Sequence, residues 1–227
     1  MSRPTLLLVL AVLAATAVAF AETERLKIAS APLEGANVEP VFSPVCRCAE
    51  SRAEIRLRVH KQDDITVTVL NAAGHTVRVL ASSRPVRNRV VLFWDGRDDS
   101  GAVVPDGTYS VHVDLAFADR TIDLPKHVVV DTAAPTAQLV GYQPHAVRRG
   151  PKARVVVQYH VSEAAHAVLY LDGKRVLRTY SRETSATFKW YGVRRLRPGR
   201  YRLQLAGLDL AGNLGPRTPA FILRVRR

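Results

Sequence analysis

Residues 69–80 read VLNAAGHTVRVL and residues 168–179 read VLYLDGKRVLRT, with Gly74 and Gly173 in register. Further along, Phe93-Trp94-Asp95-Gly96 is answered by Lys189-Trp190-Tyr191-Gly192, and Pro105-Asp106-Gly107-Thr108-Tyr109 by Arg197-Pro198-Gly199-Arg200-Tyr201. The offset shrinks from 99 residues at the glycines to 96 at the tryptophans and 92 at the tyrosines. Two copies of one unit that differ by a few loop deletions leave this trace, and a repeat of domain length fixes the architecture before any local pattern does.

Outward from these blocks the chain has a period of two. Ala53, Ile55, Leu57 and Val59 alternate with Glu54, Arg56, Arg58 and His60, and Ile65, Val67 and Val69 alternate with Thr66 and Thr68. Tyr109, Val111, Val113, Leu115 and Phe117 share one side of a third run. One apolar face at this period means half-buried antiparallel strands. Asn71-Ala-Ala-Gly74, Asp98-Asp-Ser-Gly101, Asp106-Gly107, Asp172-Gly173 and Pro198-Gly199 supply the turns between them. About seven strands per 90 residues indicate an all-β fold of two immunoglobulin-like β-sandwiches in tandem. The expected boundaries are 41–131 and 132–227, meeting at Asp131-Thr-Ala-Ala-Pro135, with 22–40 a linker.

The first 21 residues read as a targeting or anchoring segment. Arg3 precedes an uncharged run from Thr5 to Ala21 that ends in Ala19-Phe20-Ala21, the small-x-small form of a signal peptidase site. Cleavage is the expected outcome. An uncleaved anchor is the alternative, since 17 residues sit at the short end of the ~17–25 that span a bilayer. Both place the remainder outside the cytoplasm, secreted or at the cell surface.

Charge separates the two units. Residues 41–131 hold 12 Lys+Arg against 12 Asp+Glu, whereas residues 132–227 hold 18 against 4, within a total of +13. Arg outnumbers Lys 27 to 6 throughout, so a coding bias alone would not leave one unit neutral.

Phe42-Ser43-Pro44, ITVTVLNAAGHTVRVL, WDGRDDSGAVVPDGTYSV and VVVDTAAP together resemble the FlgD/Vpr-type immunoglobulin-like domain, named for the flagellar hook-capping protein. The resemblance covers 41–131; over 133–227 it is fainter, that of a diverged second copy. It implies a non-catalytic sandwich used as spacer, assembly surface or appendage. Two departures stand out. Val45-Cys46-Arg47-Cys48 occupies the place of the usual polar loop, and the second copy lacks the acidic loop between tryptophan and tyrosine.

Chemistry-bearing residues are few. Asp95, Asp98, Asp99 and Asp106 crowd one loop, but Asp is also the ordinary turn residue, and structural turns are the expected role. Trp94 and Trp190 occupy repeat-equivalent strand positions and are expected to be core anchors, not sugar platforms. His160-Val-Ser-Glu163-Ala-Ala-His166 bridges two strands and has no helix to gather its rings on one side. For Cys46 and Cys48 three readings stand: a local disulfide, a cross-link between chains, or a shared metal.

The expectation is therefore a non-enzymatic structural or adhesive protein with no cofactor, catalytic centre or metal. Its expected partner is an anionic envelope polymer or membrane surface, met by Arg194, Arg195, Arg197, Arg200, Arg202, Arg224 and Arg226. Another envelope protein is the second candidate partner, in a scaffold role; an accessory module of carbohydrate-active or hydrolytic machinery is the third. Nucleic acid is not expected.

Overall fold

The computed structural model describes residues 12–18, 20 and 32–227. Residues 12–18 and Phe20 are helical; the rest of the expected leader, including Ala19 and Ala21 of the expected cleavage site, lies outside the described residues. No helix among the described residues is long and apolar enough to cross a membrane.

Nine strands build the first unit: β1 (Leu33–Val38), β2 (Val41–Phe42), β3 (Ala53–Val59), β4 (Asp63–Leu70), β5 (Thr76–Val86), β6 (Arg89–Trp94), β7 (Gly107–Leu115), β8 (Arg120–Asp123) and β9 (Val128–Val130). Eight build the second: β10 (Ala137–Gln143), β11 (Ala146–Arg148), β12 (Val155–Val161), β13 (His166–Leu171), β14 (Lys174–Arg178), β15 (Ser185–Trp190), β16 (Gly199–Leu208) and β17 (Phe221–Arg226). The first pairs a β1-β3-β6 sheet with a β2-β9-β7-β4-β5 sheet, to which β8 adds beside β7. The second pairs β10-β12-β15 with β11-β17-β16-β13-β14. Substituting strand for strand gives the same order in both, down to the one parallel pairing, β2 with β9 and β11 with β17. Only β8 has no counterpart.

Alternation explains the packing. Along β3 the side chains at Ala53, Ile55, Leu57 and Val59 are buried and those between are not; β12 repeats this at Val155, Val157, Tyr159 and Val161. Each unit thus closes its own apolar core between two sheets. Trp94 is fully buried, edge-on to Phe42 and Tyr109, and Trp190 is buried in the second core. The repeat extends to a hydrogen bond. Tyr109 Oη donates to the Pro105 carbonyl at 2.7 Å, and Tyr201 Oη to the Arg197 carbonyl at 2.9 Å. This is the tyrosine corner of immunoglobulin-like sandwiches, a phenol locking the loop that enters its strand.

Two expectations need correction. Residues 33–38 do not belong to a linker; they form β1, which pairs with β3 across a register shift between Leu33 and Gly35. That bulge and the Gly35 position break the period of two, leaving LEGANV without a strand pattern. Phe117 does not extend the apolar face of β7: it lies in a turn, 70% exposed. The buried carboxylate of Asp63 accepts the backbone N–H groups of Phe117 and Ala118, which ends the strand at Leu115.

The two units meet tightly. The linker carbonyl of Asp131 accepts from Asn213 Nδ2 at 2.8 Å, and the same amide reaches Asp209 Oδ2 at 2.8 Å. A Cβ at Gly215 would fall 1.7 Å from the Pro135 carbonyl oxygen, and one at Gly212 would fall 2.4 Å from Cys48 Sγ. Both positions therefore require glycine for close approach. Cys46 and Cys48 are bonded to each other, their Cα atoms 5.3 Å apart because residues 44–50 turn instead of extending.

Candidate functional site

Most of the residues with catalytic or metal-binding potential have structural occupations. Asp98 Oδ1 accepts from the backbone of Ser100 and Ala102 and from the Ser100 hydroxyl, and these bonds, the hydroxyl first, hold its carboxyl below the ordinary range. Asp95 caps Arg97, Asp99 accepts from the Val79 N–H, and Asp106 binds both the N–H and the hydroxyl of Thr132. Asp95 and Asp98 thus close local turns, while Asp99 and Asp106 tie the loop to β5 and to the segment after β9. The buried tryptophans offer no ring to a sugar. His160 sits beside the Ser185 hydroxyl, while His166 begins the following strand, so the His160–His166 segment gathers no site.

The arginines of the second unit are arranged differently. On β16, Leu203 and Leu205 point into the core, so Arg200 and Arg202 point out; on β17, Leu223 and Val225 are buried and Arg224 and Arg226 exposed. Register places Arg200 directly opposite Arg224, and Arg226 opposite Arg148 of β11. The sequence Arg202, Arg200, Arg224, Arg226, Arg148 thus steps diagonally over three adjacent strands on one outer face. Steps along a strand span about 6.5 Å and steps between strands about 4.8 Å. Farther across the same sheet, Arg175 lies opposite Tyr170 and Arg178 opposite Val168, and Arg217 covers the Tyr170 ring at 4.0 Å.

Of the seven arginines expected from sequence, Arg200, Arg202, Arg224 and Arg226 come together on this face. Arg194, Arg195 and Arg197 do not. They belong to a short 3-10 helix (Gly192–Arg195) and the residues after it, at the end where β16 starts. Arg194 donates to the Ala153 carbonyl at 3.0 Å and lies 4.6 Å over Tyr191, which gives it a structural role. Arg175, Arg178 and Arg217 are the members that the sequence pattern missed, and Arg148, a basic residue near the start of the domain, is placed on the face only by the structure. Arg148 sits in a three-residue strand too short to show alternation, and β14 carries a register shift against β13. Arg217 is carried in by an irregular segment pinned through Thr218 to Leu205.

Ion pairing also differs between the two units. In the first, Arg56 pairs with Glu54, Arg58 with Glu34, Arg78 with Asp99 and Arg97 with Asp95. Among the described residues, no arginine of the second unit lies within ion-pairing distance of a carboxylate. Two of its four acids, Glu163 and Asp209, sit at the junction, beside Asp131; Asp172 stands in the β13–β14 turn, where it accepts from the Arg202 N–H, and Glu183 precedes β15. Burial, then the Asp131 and Asp209 charges, raise the Glu163 carboxyl above the ordinary range. Burial raises Asp131 likewise, with contributions from Asp209 and Asp106. The second unit thus has two carboxylates at the junction and its guanidiniums on the outer face and far end, with Asp172 at the edge of the arginine row.

Residues 48–118, within the first sandwich, match the model of the FlgD Ig-like domain family. The match is narrower than the expected unit and does not take in the second sandwich, which repeats the first one's strand order and tyrosine corner. No curated protein matches the chain. Among solved structures, the fibronectin(III)-like modules of Clostridium thermocellum CbhA are similar over 85% of this chain and 94% of theirs, at 13% identity and a TM-score of 0.47. The human OSCAR ligand-binding domain is similar over 83% and 96%, at 15% identity and a TM-score of 0.36. A Ca2+-stabilized ice-binding adhesin of an Antarctic bacterium is similar over 86% and 50%, at 15% and 0.32. At these values the likenesses carry no functional argument.

Proposed function

We propose that the protein is a non-catalytic, extracytoplasmic tandem of β-sandwiches. Its first unit serves as a spacer and its second attaches to an anionic envelope polymer. The supporting observation is a difference in pairing: four of the ten arginines of residues 41–131 are matched by carboxylates, while those on one face of the second unit are left without them. Outward cations on adjacent strands sum to a field of several kT that draws in polyanions and is screened by salt. The leader-like N-terminal sequence supports the compartment. A second reading, docking of another envelope protein, draws on a groove of about 570 Å³ in the first unit, lined by Ala72, Val77, Val103 and Pro105.

The test is retention of the full chain on immobilised phosphate-rich polymer across a salt series. Binding that weakens steadily with salt is expected, and absence of binding at the lowest ionic strength would refute the proposal. For the compartment, N-terminal sequencing of exported protein is expected to find Glu22 first; an intact Met1 on membrane-bound material would show an anchor instead.

A further inference from the structure

Resting on the polyanion reading above, we propose that the ligand is a linear phosphodiester polymer. It would lie diagonally across β16, β17 and β11, along the path Arg202, Arg200, Arg224, Arg226, Arg148. Three observations define the path. The five guanidiniums occupy successive outward positions fixed by register, so they form one line and not a scatter. The remaining outward positions beside them, Ala146 and Ile222, are half-buried, and the exposed large apolar side chains of this unit (Val140, Val176, Tyr180, Tyr191, Leu210 and Leu214) lie on none of the three strands β16, β17 and β11. A surface that enters a membrane interface pairs its cations with exposed apolar side chains; the three strands of the path carry none. A hydrated chain bearing one anion per repeat is the better complement.

All five positions are Arg, whose planar fork bonds two phosphate oxygens at once. Arg200 and Arg224 stand directly opposite each other with no acid between them, an arrangement that disfavours folding unless an anion comes to lie between. At the upper end of the path the Asp172 carboxylate accepts from the Arg202 backbone N–H, so its charge is partly engaged there. At the lower end the Arg149 N–H donates to the Arg226 carbonyl at 3.1 Å, so exposed Arg149 continues the row beyond Arg148.

Magnitude follows from counterion release. Five arginine–phosphate contacts on a single-stranded polymer give a slope of log K against log salt near about −3.5, or roughly 100-fold weaker binding between 50 and 200 mM salt. Removing two contacts brings the slope to about −2 and lowers affinity about 25-fold at 0.1 M salt. The experiment measures binding of the full chain to poly(glycerol phosphate), with poly-glutamate and phosphatidylglycerol vesicles as comparison arms. Arg200→Gln/Arg224→Gln is set against Arg182→Gln/Lys189→Gln, which removes the same charge from elsewhere on the unit. The face variant is expected to lose about 25-fold, the other only a few-fold, and the phosphate polymer is expected to bind better than either comparison arm. If both variants lose affinity equally, the path is wrong while polyanion binding survives. Equal or tighter binding of vesicles or of poly-glutamate overturns the phosphodiester assignment. If the unsubstituted chain binds none of the three at low salt, the functional reading itself fails.

Discussion

Arg200 and Arg224 face one another across β16 and β17, so the second unit folds against their repulsion, and Arg224→Gln should make it more stable. Directly opposed Cβ atoms lie about 4.5–5.5 Å apart, and long side chains splay their heads to about 7 Å. Two unit charges at that distance in a water-like medium repel by about 0.6 kcal/mol, inside the ~0.2–1 kcal/mol range of cross-strand pairs. Arg226 and Arg148, one step farther on, add to this in the same direction. A gain of about 0.6 kcal/mol corresponds to roughly 3 °C in a domain of this size. In 1 M salt the screening length falls to about 3 Å, below the separation, and the gain should vanish. The chain has two tryptophans, one per unit, so Trp190 fluorescence in a Trp94→Phe background reports the second unit alone. Thermal unfolding at about 20 mM and 1 M NaCl completes the assay. A loss of stability at low salt, or a gain that persists at high salt, would refute the reasoning. The first would mean that Arg224 makes a favourable contact, the second that Gln is simply the better strand residue.

Trp94→Ala should cost about 3–5 kcal/mol and abolish cooperative unfolding of the first unit, because Phe42 and Tyr109 both lose the ring they abut; a variant with an unchanged urea midpoint would remove Trp94 from the core. Gly215→Ala must displace the Pro135 carbonyl and should cost about 1–3 kcal/mol, seen as a lowered melting temperature; no change would show that the junction is loose. The junction also predicts a pH dependence. Asp131 and Glu163 have raised carboxyls, so the folded state binds more protons than the unfolded one between the ordinary carboxylate range and the raised values. Their favourable contribution is present on the acid side and is lost as pH rises through the raised values. Asp98 and Glu34, held low, act in the opposite sense. The contribution is therefore read as the difference between the unsubstituted chain and Asp131→Asn, which should favour the unsubstituted chain at acid pH and shift toward Asn as pH rises; a flat difference would contradict it.

The repeat, the sandwich class and the fate of the tryptophans were legible because each rests on the period of two or on spacing, both local to the sequence. β1 was not, because its bulge at Gly35 erases the alternation and its burial is supplied by β3, which is distant in the chain. Phe117 was misplaced because the element that ends β7 is the Asp63 carboxylate, more than fifty residues upstream. The same limit divides the candidate site. Arg200, Arg202, Arg224 and Arg226 sit opposite core leucines and valines in long strands, so their outward direction follows from pattern alone. Arg148 joins them only through parallel pairing with β17, and Arg217 only through the path of an irregular segment, neither of which local sequence encodes. Conversely, Arg194 carries the same charge as its neighbours, yet its bond to the Ala153 carbonyl, forty-one residues away, is what sets its role.

The central claim is that anionic polymer is held on one face of the second unit, and covalent arginine footprinting tests it most directly. The full chain is treated with a dicarbonyl reagent, with and without poly(glycerol phosphate), and each arginine is followed by mass spectrometry. Protection should concentrate on Arg148, Arg200, Arg202, Arg224 and Arg226, while Arg87, Arg120 and Arg182 react at unchanged rates. Protection spread evenly over all exposed arginines, or concentrated on the first unit, would contradict the account.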